Sequence, residues 1–117
     1  MNLKKFYESM DVDYSRVLNR LRREQLIEKY LHLFVKDENF EVLNKSVESE
    51  DYESAFRAAH SIKGVALNLD LKPVAETASV LVEYFRGQPQ AEYDRTRIKE
   101  LCQVLNDEFE KIKGKIE

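Results

Sequence analysis

His60 is the residue in this chain whose type and neighbours could do chemistry. It stands in the run Arg57-Ala58-Ala59-His60-Ser61-Ile62-Lys63-Gly64-Val65-Ala66-Leu67. As a helix, this run puts Lys63 and Gly64 three and four residues on, beside His60 on one face. Phe56 lies one turn before the histidine, and Leu67 one turn beyond Lys63. Imidazole titrates near neutral pH, so it can act as a base, a metal ligand or a nucleophile. Base catalysis of the triad kind wants a carboxylate to orient the ring, and Phe56, Arg57, Lys63 and Gly64 supply none. Zinc wants a second ligand three or four residues away, and there is none. What fits is a nucleophile facing an anion. Lys63 can balance the charge gained on attack at a phosphoryl group. The N–P bond so formed is labile, so the group can be passed on. The plain alternative is a helix-surface histidine with an incidental lysine and glycine, and His32 is assigned to that structural class.

Gly64 sharpens the choice. Of the three glycines, Gly87 and Gly114 fall near the ends of helical patterns, where glycine costs little. Gly64 lies inside one, at a cost of about 1 kcal/mol relative to Ala. Tight packing within the fold is one compensation, but Gly64 lies off the apolar seam. Close approach by an outside body is therefore the expected reason.

The elements that must position these residues follow from apolar spacing. Tyr52, Ala55, Ala59, Ile62, Ala66 and Leu69 form a seam along one face of a helix capped by Asp51. His60 sits about 100° past that seam, at its edge. Before it come short amphipathic patterns over residues 2–9 and from Asp13 to Leu21. A longer stripe runs through Leu26, Ile27, Tyr30, Leu31, Phe34 and Val35. A further piece carries Phe40, Leu43 and Val47, with Asp37 as its expected cap. After the central helix, Asp70-Leu71-Lys72-Pro73 reads as a turn, with Pro73 suited to a first helical position. Val74, Thr77, Ala78, Leu81 and Phe85 mark the next helix, which Gly87-Gln88-Pro89 ends. A last helix starts near 91–94 and carries Ile98, Leu101, Leu105, Phe109 and Ile112. Short connections between such helices favour antiparallel neighbours. The expected fold is all-α, an up-down-up-down antiparallel four-helix bundle with additional short N-terminal helices. Residues 1–22 form the N-terminal cap and 23–117 the bundle, within one compact domain.

Composition agrees with this class and narrows the partners. The 117 residues are 43% hydrophobic and 35% charged, enough for one core without disulfides or metals. A net charge of −3 gives no reason to expect nucleic acid or membrane, and the basic clusters at 20–23 and 111–115 are interrupted helix flanks. The one cysteine, Cys102, cannot form an internal disulfide and is expected to be a buried thiol. No apolar signal core opens the chain and no run approaches 18 apolar residues, so the expected location is the cytoplasm. There is no glycine-rich phosphate cradle and no acidic metal cluster.

The stretch Ala59-His60-Ser61-Ile62-Lys63-Gly64-Val65-Ala66 resembles the signature of histidine phosphotransfer (HPt) domains of multistep phosphorelays, Ala-His-(Thr/Ser)-Leu-Lys-Gly followed by small residues. The resemblance covers about 23–113, and residues 1–22 are similar to the extra helices of small stand-alone members. It implies a four-helix bundle in which His60 takes and gives a phosphoryl group at Nε2. By the same resemblance Lys63 supports the phosphate, and Gly64 clears space for a response-regulator receiver domain. Asn68 matches a downstream Asn of the family. Phe56, Arg57, Ser61, Leu67 and Asn68 are the expected docking residues. Ile62 departs from the commoner Leu, and Asp70 stands where many members have glycine, so the following turn is expected to differ. The implied protein is a monomeric phosphoryl carrier, neither a kinase nor a nucleotide binder. It has no cofactor of its own, the divalent metal belonging to the receiver. A hybrid sensor kinase is a further expected partner. The alternative is a helical adaptor that binds a signalling partner without phosphoryl transfer.

Overall fold

The structure is a computed structural model that describes residues 1–116. Among them it contains seven α-helices and one short 3-10 turn and no strand. The helices are α1 (Leu3–Glu8), α2 (Tyr14–Leu21), α3 (Glu24–Val35), α4 (Asn39–Glu48), α5 (Tyr52–Asn68), α6 (Lys72–Arg86) and α7 (Arg95–Ile116). The chain runs up α4, down α5, up α6 and down α7, each helix packing on the next, and α7 returns to α4 and α3. The expected all-α bundle is what forms, and α1, α2 and the turn between them add Leu3, Phe6, Tyr7, Met10 and Val17 to the same buried core. No helix among the described residues is long and apolar enough to cross a membrane.

The starts of the helices follow their capping residues. Asp13 accepts from the Ser15 N–H and Asp51 from the Ser54 N–H, each satisfying an amide that the first turn leaves unpaired. Asp37 acts from one residue further out than expected: α4 begins after Glu38, and the Asp37 carboxylate reaches the Asn39 N–H at 2.8 Å. Pro73 occupies the second helical position, after Lys72, where its missing N–H is equally harmless. Asp94 accepts from the Thr96 and Arg97 N–H groups and so starts α7.

Every residue of the expected α5 seam is buried, Ala55, Ala59, Ile62 and Ala66 completely. The neighbouring α6 buries Ala75 and Ala78 in the same core, and small side chains let two helix backbones approach closely. Aromatic groups hold the two ends of the bundle. At one end Phe40 stacks on Phe109 at 3.8 Å with Phe34 edge-on to both, spanning the break between α3 and α4. At the other, Tyr52, Phe85 and Tyr93 cluster, and Tyr93 donates its hydroxyl to the Phe85 carbonyl at 2.8 Å. Tyr30 departs from its expected place in the core: it is 39% exposed. Cys102 is buried, as its helical pattern implied, and burial pushes its thiol up to about 11. It is therefore not a thiolate at neutral pH.

The end of α5 is fixed by the N-terminal helices. Asp70 takes φ 51°, and the Leu71 N–H reaches back to Ala66 O at 2.9 Å while the Asp70 N–H reaches Leu67 O at 3.2 Å. This is the six-to-one, five-to-two closure that usually employs glycine. The chain therefore makes the glycine turn with an aspartate. A Cβ in the left-handed region costs about 1 kcal/mol or more, and the Asp70 side chain offsets this through Arg16 at 3.3 Å and Arg20 at 3.1 Å. Arg20 Nη1 aims its N–H groups at the Leu67 and Asn68 carbonyls, 2.8 and 3.1 Å away. Asp70 Oδ2 is accordingly held by charge and not by a hydrogen bond. The buried Tyr7 hydroxyl completes the clamp by donating to Leu69 O at 2.7 Å. Burial first, and then the nearby Asp70 charge, push that phenol above its ordinary range. A cation and a hydroxyl thus satisfy the last carbonyls of α5, where the helix dipole is negative.

This clamp predicts an ordering of variants. Asp70→Ala keeps the left-handed Cβ and loses both arginines, so it should destabilise by about 1–2 kcal/mol. Asp70→Gly loses the same arginines but relieves the backbone, and should be about 1 kcal/mol more stable than the alanine variant. Urea unfolding of the two proteins checks this. Equal midpoints would show that the backbone conformation at residue 70 carries no cost.

Candidate functional site

On α5, the face opposite the buried seam carries the residues singled out by sequence. His60, Ser61, Gly64, Leu67 and Asn68 are exposed, Arg57 is exposed, and Lys63 and Phe56 are half-buried. His60 owes its exposure to its register: it follows the fully buried Ala59 by one residue, which turns it about 100° out of the core. The two histidines differ in what they touch. His32 places Nδ1 2.8 Å from Glu28 O, one turn back on its own helix. The His60 ring nitrogens have no protein partner among the described residues, and its neighbour is the Phe56 ring, 6.0 Å away and 29° from parallel.

The cations around His60 are not equivalent. Arg57 donates to Glu53 at 3.1 Å, so its charge is partly offset within its own helix. Lys63 makes no ion pair among the described residues, and three residues on from His60 it shares its side of the helix. It is the cation of α5 left free to meet an anion. No three His, Cys, Asp or Glu side chains among the described residues are grouped to hold a metal ion.

Gly64 faces open space. A Cβ built there would meet nothing within 4 Å, so packing inside the bundle does not account for it. Gly114 is equally uncrowded, but it lies in the last turn of α7, where glycine weakens little that would not fray. Gly87 is the C-cap of α6.

Of the expected docking residues, Arg57, Ser61, Leu67 and Asn68 lie on this exposed face together. Phe56 is different: it is packed edge-on to Phe85, at 6.3 Å, and lies beneath the Arg86 guanidinium. It belongs to the floor of the site more than to its open surface. Two features escaped the sequence reading. One is Arg86, brought to Phe56 from the far end of α6. The other is an open hollow of about 530 Å³ between α2, α3 and α5, where Tyr30, Leu33 and Val65 expose apolar surface. Leu33 lay off the expected stripe of α3, which was the available signal. Val65 lies about 140° round the helix from His60, so the hollow flanks the histidine face and is not part of it.

The arrangement can present a nucleophilic nitrogen, a free cation and a cleared space on one face of a rigid helix. Neither a curated protein nor a solved structure matches the chain. One family model does, that of the Hpt domain, and it spans residues 3–115. With essentially the whole length matched, and with an exposed histidine on a helical bundle at its centre, the chain belongs to the Hpt domain family.

Proposed function

We propose that this protein is a phosphoryl carrier in which His60 takes a phosphoryl group from an aspartyl phosphate on a receiver domain and passes it to another. The observation that carries this reading is the exposed, unpartnered His60 with Lys63 and open space at Gly64 on the same face. In the transfer step the Nε2 lone pair attacks phosphorus in line. The N–P bond forms as the aspartyl O–P bond breaks, the partner's aspartate leaves as carboxylate, and Nδ1 keeps its proton. Lys63 compensates the charge on the phosphoryl oxygens. Arg57, Ser61, Leu67 and Asn68 form the docking surface around it, with Phe56 at its floor. The divalent metal belongs to the receiver, and a hybrid sensor kinase that carries such a receiver is a natural donor. The reverse reaction uses the same groups, because one reactive phosphoryl bond is exchanged for another.

The test is incubation with a panel of phosphorylated receiver domains. Label on this chain should be acid-labile and alkali-stable, and a second receiver should remove it. The purified chain with ATP and magnesium should gain none. Label acquired from ATP alone would overturn the carrier reading in favour of a kinase, and binding to receivers without label would favour an adaptor. Within this scheme Lys63→Ala should fold normally and slow transfer about tenfold, the value of one exposed charge-assisted hydrogen bond of roughly 1.4 kcal/mol. Stopped transfer assays against one receiver measure this, and an unchanged rate would make the lysine a bystander.

A further inference from the structure

Leu67 and Asn68, two of the docking residues, are the last two residues of α5. They stand about 10–12 Å along the helix from His60, at 1.5 Å per residue. A last turn is where a helix frays, because its carbonyls have no partner within the helix. Here three successive carbonyls are taken by side chains of α1 and α2. Arg20 donates to Leu67 O at 2.8 Å and to Asn68 O at 3.1 Å, and Tyr7 donates to Leu69 O at 2.7 Å. Arg20 Nη1 also lies 3.1 Å from Asp70 Oδ2, while Arg16 meets Oδ1 at 3.3 Å. One guanidinium therefore holds both the end of the helix and the residue that turns the chain out of it at φ 51°. An aspartate does not adopt that backbone as freely as glycine does, so the turn depends on the arginine. Leu67 is 51% exposed, and burial in the core does not fix it. Its placement rests on the backbone, and the backbone rests on α2.

We propose that Arg20 is a positioning residue for phosphoryl transfer. It acts through the α5 carbonyls and Asp70 to hold Leu67 and Asn68 where a receiver domain meets them. The N-terminal helices thereby set how tightly a receiver docks and leave the reactivity of His60, two turns back in the helix, unchanged. The inference rests on the carrier reading, and its test separates the two.

Single-turnover transfer from one phosphorylated receiver is measured against receiver concentration, at a temperature where circular dichroism shows every variant folded. In Arg20→Gln the half-saturating concentration should rise about fivefold, because a surface formed only part of the time binds in proportion to that fraction. The maximal rate should stay at the parent value. Labelling by phosphoramidate, a small donor that needs no docking surface, should also run at the parent rate. Asp70→Ala keeps the left-handed Cβ without its arginine partners and should behave like Arg20→Gln. Glycine closes the turn unaided, so Arg20→Gln combined with Asp70→Gly should return close to the parent half-saturation. Arg16→Gln, which loses only the longer and more exposed contact, should show a smaller rise and serves if Arg20→Gln does not fold. A combined variant that docks as weakly as Arg20→Gln would mean that Arg20 touches the receiver directly, and overturns the positioning role. Parent half-saturation in Arg20→Gln, or equal slowing with both donors, overturns it too. Each of these results leaves the carrier reading standing, because the parent chain still takes label from the receiver. A parent chain that takes label from no receiver overturns the carrier reading, and this inference with it.

Discussion

His60→Gln should abolish phosphoryl acceptance outright while leaving the bundle intact. The amide nitrogen of glutamine has its lone pair delocalised into the carbonyl, so it offers no nucleophile at the position of Nε2. The fold should not notice, because His60 is exposed and its one aromatic neighbour among the described residues is the partly exposed Phe56. Surface substitutions of this kind stay within about 0.5 kcal/mol, so the melting temperature should move by no more than a few degrees. Incubation of parent and variant with the same phosphorylated receiver, followed by site mapping, measures the effect. Label retained by the variant, or label found on His32, would sink the assignment. His32 has Val35 and Lys36 at the positions where His60 has Lys63 and Gly64, so no cleared space stands beside it.

Gly64→Gln sets stability against function. In the free protein the new side chain meets open space, and replacing glycine inside a helix gains about 0.5–1 kcal/mol of helix propensity. The variant should therefore melt at the same temperature or a few degrees higher. In the complex, the same side chain stands about one helical turn from the imidazole, where the receiver must come within bonding distance of phosphorus. Displacing reacting groups by about an ångström costs on the order of a hundredfold in rate. Transfer should fall by about that factor while the free protein is unharmed. Gly114→Ala is the matched control: it also fills open space on a helix, far along the chain from His60, and should leave transfer alone. A Gly64→Gln protein that unfolds would make Gly64 a packing residue. One that transfers at the parent rate would remove the reason for a glycine there.

Much of this molecule was legible from spacing. The α5 seam from Tyr52 to Leu69 is buried throughout, because a 3.6-residue period with apolar groups every third or fourth position leaves a helix one face to bury. Asp13 and Asp51 announced their helix starts, since a carboxylate before an amphipathic run satisfies amides that the helix cannot. The chemistry of His60 could be narrowed by elimination, as the residues a helix must place beside it are fixed by the backbone alone. Tyr30 was misplaced because an aromatic on the margin of a stripe looks the same whether or not another helix covers it. Only the packing of α2 and α3 against α5 decides that it lines an open hollow.

What the sequence determined by itself, then, is whatever a single helix enforces: the seam, the exposed histidine, the neighbouring lysine and the interior glycine. What only the tertiary structure decided is what distant elements bring together. Asp70 breaks the glycine rule for a left-handed turn, and nothing near it in sequence explains how. The explanation is Arg16 and Arg20, over 45 residues away in the chain and 3.3 and 3.1 Å away in space. Arg86 reads in sequence as a helix-ending cation, and only the antiparallel return of α6 along α5 lays it on Phe56 beside His60. Local periodicity fixes which side of a helix a residue occupies. It carries no information about which cation from another helix arrives there, because that depends on the lengths of the helices and the register in which they pack.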